Sequence, residues 1–319
     1  MSNPFQHWYD SCNSGDSAAK LAALPPFPTH IDVELTSVCN FRCLMCPTGN
    51  LSLQRDGEFM EWDTFDQIID QCEPHGAGIR FIGWGEPMMH PQLFRFIRRA
   101  SDALLPTHLN TNGSKLHQYE QNMILNMGLD SIKVSMQGTT AESYRDMRNI
   151  DYYEGVFTAV RTLHRRRGNA PRPWIHVSTT ITDEHPSTVE VFKKRFAPYC
   201  DQISVGYTTF DYLDLAAVRL GDQDRERLEK MVANQEVEKR HPSCPEVYDK
   251  LTIHADGSAR VCCNDYNGET FLGNVNDTPI GAMFHHPVIK EYREKLAREE
   301  HDYLHLCADC YDYMELTND

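Results

Sequence analysis

"HIDVELTSVCNFRCLMCPTGN" (residues 30–50) runs from a short β-type segment straight into a loop holding Cys39, Cys43 and Cys46, spaced C-x3-C-x2-C. Three thiolates in one short loop can wrap one corner of a metal site. A structural zinc site wants a fourth protein ligand close by. His30 and His75 are the nearest possibilities, and neither has a characteristic spacing. An iron–sulfur cubane can take three cysteines and leave one iron open, so the loop favours that reading over zinc.

The pattern around the loop sets the fold. β-type runs occur at "HIDVELT" (30–36), "GIRFIGW" (78–84), "THLNTNG" (107–113), "DSIKVSM" (130–136), "WIHVSTTIT" (174–182) and "QISVGYT" (202–208). Helical spacing fills the intervals, at 60–72, 91–104, 115–128, 152–167 and 186–199. Six such units in a row predict an α/β chain whose parallel sheet curves into a barrel or part of one. Ligand sites in parallel sheets lie at the carboxyl ends of the strands. The cysteine loop ends the first strand there, "GWGEP" (83–87) the second, "NTNG" (110–113) the third and "SMQG" (135–138) the fourth. Gly-Glu-Pro alone is more often a turn. At successive strand ends the four signals reinforce one another.

On these residues the chain resembles the radical S-adenosylmethionine (SAM) superfamily. Cys39, Cys43 and Cys46 match its cysteine loop, and "FIGWGEP" (81–87) matches its glycine-rich motif, with Trp84 where many members have glycine. The resemblance implies a partial (β/α)6 TIM-type barrel over about residues 30–210. It implies a [4Fe–4S] cluster whose open iron is chelated by SAM. One-electron reduction would then release a 5′-deoxyadenosyl radical that takes an unactivated hydrogen atom. The backbone around Gly85 and Glu86 would receive the SAM ammonium, with Asn112 in the same cofactor-binding set. Ser135 and Gln137 would lie near the ribose or carboxylate. Arg148 is either a partner of the carboxylate or an ordinary surface helix arginine. An external one-electron donor such as flavodoxin or ferredoxin is implied as a partner.

Beyond residue 210 the rhythm breaks. A polar helical stretch, "DRERLEKMVANQEVEKR" (224–240), reads as a solvated linker helix. "CPEVYDKLTIHADGSARVCC" (244–263) reads as two strands joined at Asp256-Gly257, a hairpin signal, and "CADC" (307–310) follows a further helix. A hairpin ending in cysteine plus C-x2-C suits zinc or an iron–sulfur cluster about equally. With the first cluster in view, the region resembles the SPASM/twitch extension of radical SAM enzymes, in the shortened form found in aminocyclitol dehydrogenases. That implies one auxiliary [4Fe–4S] cluster on Cys244, Cys262, Cys307 and Cys310. The expected organisation is an N-terminal extension (1–29), the barrel (30–210), a linker (211–243) and a small C-terminal SPASM/twitch-like domain (244–319).

Strand alternation would send Cys263 to the face opposite Cys262. It is then a small buried hydrophobe or, more sharply, a hydrogen-atom donor like those of related epimerases. Cys72 and Cys200 read as core thiols, and Cys12 has no evident partner. Lys+Arg 31 minus Asp+Glu 46 gives −15, which disfavours non-specific nucleic-acid or anionic-membrane binding. Neither a signal peptide nor a membrane span is legible, and eleven cysteines in such a chain read as reduced thiols. A cytoplasmic location is expected. The leading expectation is epimerisation or oxidation of a small polar substrate: a sugar, aminocyclitol or nucleoside. Modification of a ribosomal peptide is the enzymatic alternative, though only about thirty residues precede the barrel. A two-site metal-binding protein without turnover is the third.

Overall fold

The computed structural model describes residues 3–8, 16–208, 210, 213–233, 244, 246–308 and 310. Cys12 and the linker's 234–240 stretch lie outside them. The chain begins with α1 (Ser17–Ala22), capped by the Asp16 carboxylate accepting from Ala18 N. β1 (His30–Val33), α2 (Trp62–Cys72), β2 (Gly78–Phe81), α3 (Leu93–Asp102), β3 (Thr107–Thr111), α4 (Gln118–Asn126), β4 (Ser131–Ser135), α5 (Ala141–Arg148), α6 (Tyr153–Arg167), β5 (Trp174–Ile181), α7 (Pro186–Phe196) and β6 (Gln202–Tyr207) follow. β1 to β6 pair side by side, all parallel. The expected partial barrel is therefore present, with strands one to three residues shorter than several of the β-type runs.

Alternation builds it. Ile79, Phe81, Leu109, Ile132, Val134, Ile175 and Val177 are wholly buried on the helix side of the sheet. α3 meets them with Leu93, Phe96, Ile97 and Ala100, the i, i+3, i+4, i+7 stripe of a one-sided helix. Phe65 of α2 stacks on Phe96 at 4.6 Å. Each such side chain contributes roughly 1.5–3 kcal/mol of burial.

Two regions depart from the expected organisation. The described residues of the N-terminal extension pack on the barrel. Trp8 packs on His30 at 5.6 Å, Phe5 lies 5.2 Å from His108, and Asn3 Nδ2 donates to Gln202 Oε1 at 3.0 Å. Residues 3–8 thus lie across the amino ends of the strands, spanning from β6 to β1. The C-terminal region also joins the barrel sheet. After α8 (Asp222–Ala233) and α9 (Glu246–Asp249), β7 (Lys250–Ile253) pairs parallel with β1, His30 against Lys250. β8 (Ser258–Arg260) turns back on β7 through the Asp256-Gly257 hairpin, where Gly257 has φ +84°, and β9 (Gly273–Asn274) makes the sheet nine-stranded among the described residues. α10 (Ile280–Phe284) and α11 (Pro287–Ala297) follow, and α11 packs against α1 and α9.

α8 is anchored rather than fully solvated. Its Leu228 is buried in a cluster with Leu44 of the cysteine loop, Met147, Phe210, Leu213 and Val218. Among the described residues no helix is long and apolar enough to cross a membrane, and none of the ten described cysteines is in a disulfide.

Candidate active site

The cysteine loop is held at the carboxyl end of β1 by backbone contacts that glycines make possible. A methyl on Gly85 would overlap the Thr36 carbonyl oxygen and come within 2.8 Å of the Val38 carbonyl oxygen. Their approach lets Glu86 N donate to Val38 O at 2.9 Å. Thr48 Oγ1 donates to Trp84 O at 2.8 Å, so the loop's far end is tied to the same glycine-rich segment. Leu44 N donates to Met147 O at 2.9 Å, fixing the loop's middle on α5.

The sulfurs face polar donors. Cys39 Sγ accepts from Phe41 N at 3.4 Å and lies 4.0 Å from Asn112 Nδ2. Cys43 Sγ accepts from Arg148 Nη1 at 3.5 Å. Burial first, then the charges of neighbouring groups, pushes the Cys39 thiol up to about 11 and Cys46 up to about 12. Three buried or half-buried thiols in one loop, two of them held against ionising and all close to polar groups, fit a cationic iron–sulfur centre that would bind them as thiolates.

The structure brings every expected cofactor residue to this end of the sheet, in differing roles. Glu86 is a buried strut: its carboxylate accepts from Thr111 Oγ1 and Asn112 N, each at 2.7 Å, and from Met88 N at 3.0 Å. Asn112 Nδ2 also donates to Asn40 Oδ1 at 3.0 Å. Gln137 is buried and engaged internally, donating to Thr208 Oγ1 at 2.5 Å and accepting from Thr180 Oγ1 at 2.8 Å. Ser135 is half-buried on the strand's last position. Arg148 is no surface arginine. It is buried, and its Nη2 donates to Ser135 O at 2.8 Å and Met136 O at 3.1 Å. A Thr140–Ser143 capping box starts α5 and left-handed Asn149 ends it, so Arg148 sits in the last helical turn beside β4.

Cys244, Cys262, Cys307 and Cys310 line one cavity, with Val261 and Tyr292 among its walls. Asn264 Nδ2 donates to Cys310 Sγ at 3.3 Å. Among the described residues no three His, Cys, Asp or Glu side chains are grouped so as to hold a single metal ion. Four thiols around a shared cavity suit a polynuclear cluster better than zinc.

Cys263 corrects the alternation argument. β8 ends at Arg260, so both adjacent cysteines lie beyond the strand, where strand periodicity no longer applies. Their sulfurs are 4.0 Å apart, on one side rather than opposite. Cys263 is not among the cavity's lining residues. Cys262→Ala is accordingly expected to remove about half the iron of reconstituted protein and Cys263→Ala to keep it all. Equal iron loss in both variants would reassign the fourth ligand.

The C-terminal region and the first half of the barrel are joined by contacts that the motifs did not foretell. Trp84 Nε1 donates to Cys263 O at 2.7 Å. Arg55 grips Glu34 with two bonds of 2.8 and 3.1 Å and donates through Nε to Tyr266 O at 2.6 Å. The one hint in the sequence was the acid at position 34, in a run whose neighbours are apolar.

Comparison with known proteins agrees with this geometry. The radical SAM superfamily profile matches residues 33–189, and the SPASM iron–sulfur cluster-binding domain profile matches residues 244–311. The PqqA peptide cyclase of Ruegeria pomeroyi is 31% identical over 130 residues, 41% of this chain and 34% of that protein. The chain spans half or less of the length of the first curated relatives it matches. SuiB of Streptococcus suis, solved with its precursor peptide SuiA, superposes with TM-score 0.67 at 13% identity, over 92% of this chain and 72% of that one. BtrN, solved with AdoMet and 2-DOIA, superposes with TM-score 0.57 at 16% identity, over 90% and 98%.

Proposed function

Since the chain is a member of the radical SAM superfamily that also carries a SPASM domain, with [4Fe–4S] clusters and SAM as its cofactors, we propose that it modifies a peptide. SAM held on the Cys39, Cys43 and Cys46 cluster supplies, when reduced, a radical able to take a hydrogen atom from an unactivated carbon. The protein's own share is to hold the substrate beside that site and keep water away. The observation that carries the peptide reading is the open side of the barrel. β6 is the terminal strand of the sheet, and Gln202–Gly206 are half-buried along it with Tyr207 exposed. An extended chain can lie against such an edge and reach the lumen, as in β-strand addition. The peptide cyclase, named for its peptide, and SuiB, solved with its precursor peptide, support the same reading. The expected order of the two enzymatic readings is thereby reversed.

A small polar substrate is the second reading. It is favoured by the single four-thiol cavity among the described residues and by the likeness to BtrN over 98% of that chain. The two separate in one assay. Reconstituted, reduced enzyme is given SAM with peptides translated from reading frames beside its gene, or with aminocyclitols, sugars and nucleosides. Formation of 5′-deoxyadenosine is expected to rise at least about tenfold with one peptide. A rise with a polyol or nucleoside and with no peptide would establish the second reading instead. Cys263 keeps its proposed role as donor of a hydrogen atom only there, because epimerisation requires one.

A further inference from the structure

The two faces of the barrel sheet differ in chemistry. On the helix side the β3, β4 and β5 residues Leu109, Ile132, Val134, Ile175 and Val177 are wholly buried. On the other face stand Arg80, Asn110, Lys133, Ser135, Ser178 and Ser204, all polar and all half-buried. Strand alternation therefore makes the lumen a polar surface that solvent still reaches.

Its charges do not balance. Asp32 is claimed by Arg80 at 3.1 Å and Lys250 at 3.6 Å, and Glu34 by Arg55. Lys133 has no carboxylate within 4.0 Å and no hydrogen-bond partner among the described residues. Sheet register sets it between Asn110 of β3 and His176 of β5. His176 is 4% exposed, with one ring nitrogen 2.8 Å from Ser204 Oγ and the other, Nδ1, without a partner. Burial, then the charge of Arg80, pulls the Lys133 ammonium down to about 8. A cation withdrawn from water is held at a cost unless a counter-charge arrives. Nothing described in the fold supplies that counter-charge.

We propose that Lys133, flanked by Asn110 and His176, forms a subsite for an oxyanion of the substrate inside the barrel lumen. It rests on the peptide reading only for the anion's carrier, which would be a carboxylate of the peptide. Lys133 precedes Ser135 by two residues on the same face, so the anion sits about 7 Å below the strand end where SAM is expected. An acidic residue near the modified position would anchor the substrate, and a neutral one there would leave the ammonium uncompensated.

The test is calorimetric titration of the reconstituted, SAM-bound enzyme with glutarate and with inorganic phosphate at low salt. Wild type, Lys133→Gln and Lys133→Arg are compared, each first shown to carry full iron. Binding of at least one probe is expected, weakened about tenfold or more by Lys133→Gln and regained by Lys133→Arg. Glutarate binding supports both the subsite and a peptide carboxylate. Binding of phosphate alone keeps the subsite but overturns the peptide as its carrier. No binding of either probe, or equal binding by Lys133→Gln, overturns the subsite and leaves the peptide assay unaffected. Loss of SAM affinity in Lys133→Gln would also overturn it, because the lysine would then serve the cofactor.

Discussion

Replacing Cys39, Cys43 and Cys46 together with alanine is expected to leave a folded chain with about half of its roughly eight irons and no SAM cleavage. The three thiols sit on one loop whose position is set by backbone bonds, Leu44 N to Met147 O at 2.9 Å and Thr48 Oγ1 to Trp84 O at 2.8 Å, which the substitutions leave in place. The second thiol set lines its own cavity on other elements, so its iron should persist. Anaerobic iron and sulfide analysis with chromatographic measurement of 5′-deoxyadenosine reads both effects. SAM cleavage at the wild-type rate in the triple variant would sink the site assignment.

A single methyl group should do nearly as much harm. Gly85→Ala places its Cβ into the Thr36 carbonyl oxygen and 2.8 Å from that of Val38, and both are backbone atoms with no rotamer to change. Overpacking typically costs 1–3 kcal/mol when side chains can adjust. Here the strain must move the cysteine loop against the glycine-rich segment, and with it Cys39. We expect a fall of about a hundredfold in SAM cleavage and loss of the first cluster's iron, with the fold retained. Gly281→Ala in α10 is the matched control, since its nearest neighbour would be Phe27 Cδ2 at an ordinary 3.8 Å. Equal activity of the two variants would show that the close approach at Gly85 is dispensable.

The parts of this protein that its sequence determined are those encoded over short spans. Period-two runs with fully buried alternate residues, such as Ile132 and Val134, specify strands and the face each side chain takes. The intervals between them specify helices, and together they specify a parallel, partly closed sheet. The C-x3-C-x2-C spacing and the strand-end glycines placed the site for the same reason: a loop of eight residues can bring its own three thiols together unaided. Alternation failed at Cys262 and Cys263 because the strand had already ended at Arg260. What the tertiary structure alone decided are the pairings across long separations. Arg148 reaches Cys43 from 105 residues away, and Trp84 reaches Cys263 from 179. Likewise, residues 3–8 lie across the strands' amino ends, and β7 takes a place beside β1. Local periodicity fixes which way a side chain points but not what stands opposite. Whether a buried charge is compensated is therefore settled only when distant segments pack, and for Lys133, on its strand, no counter-charge arrives from the described residues.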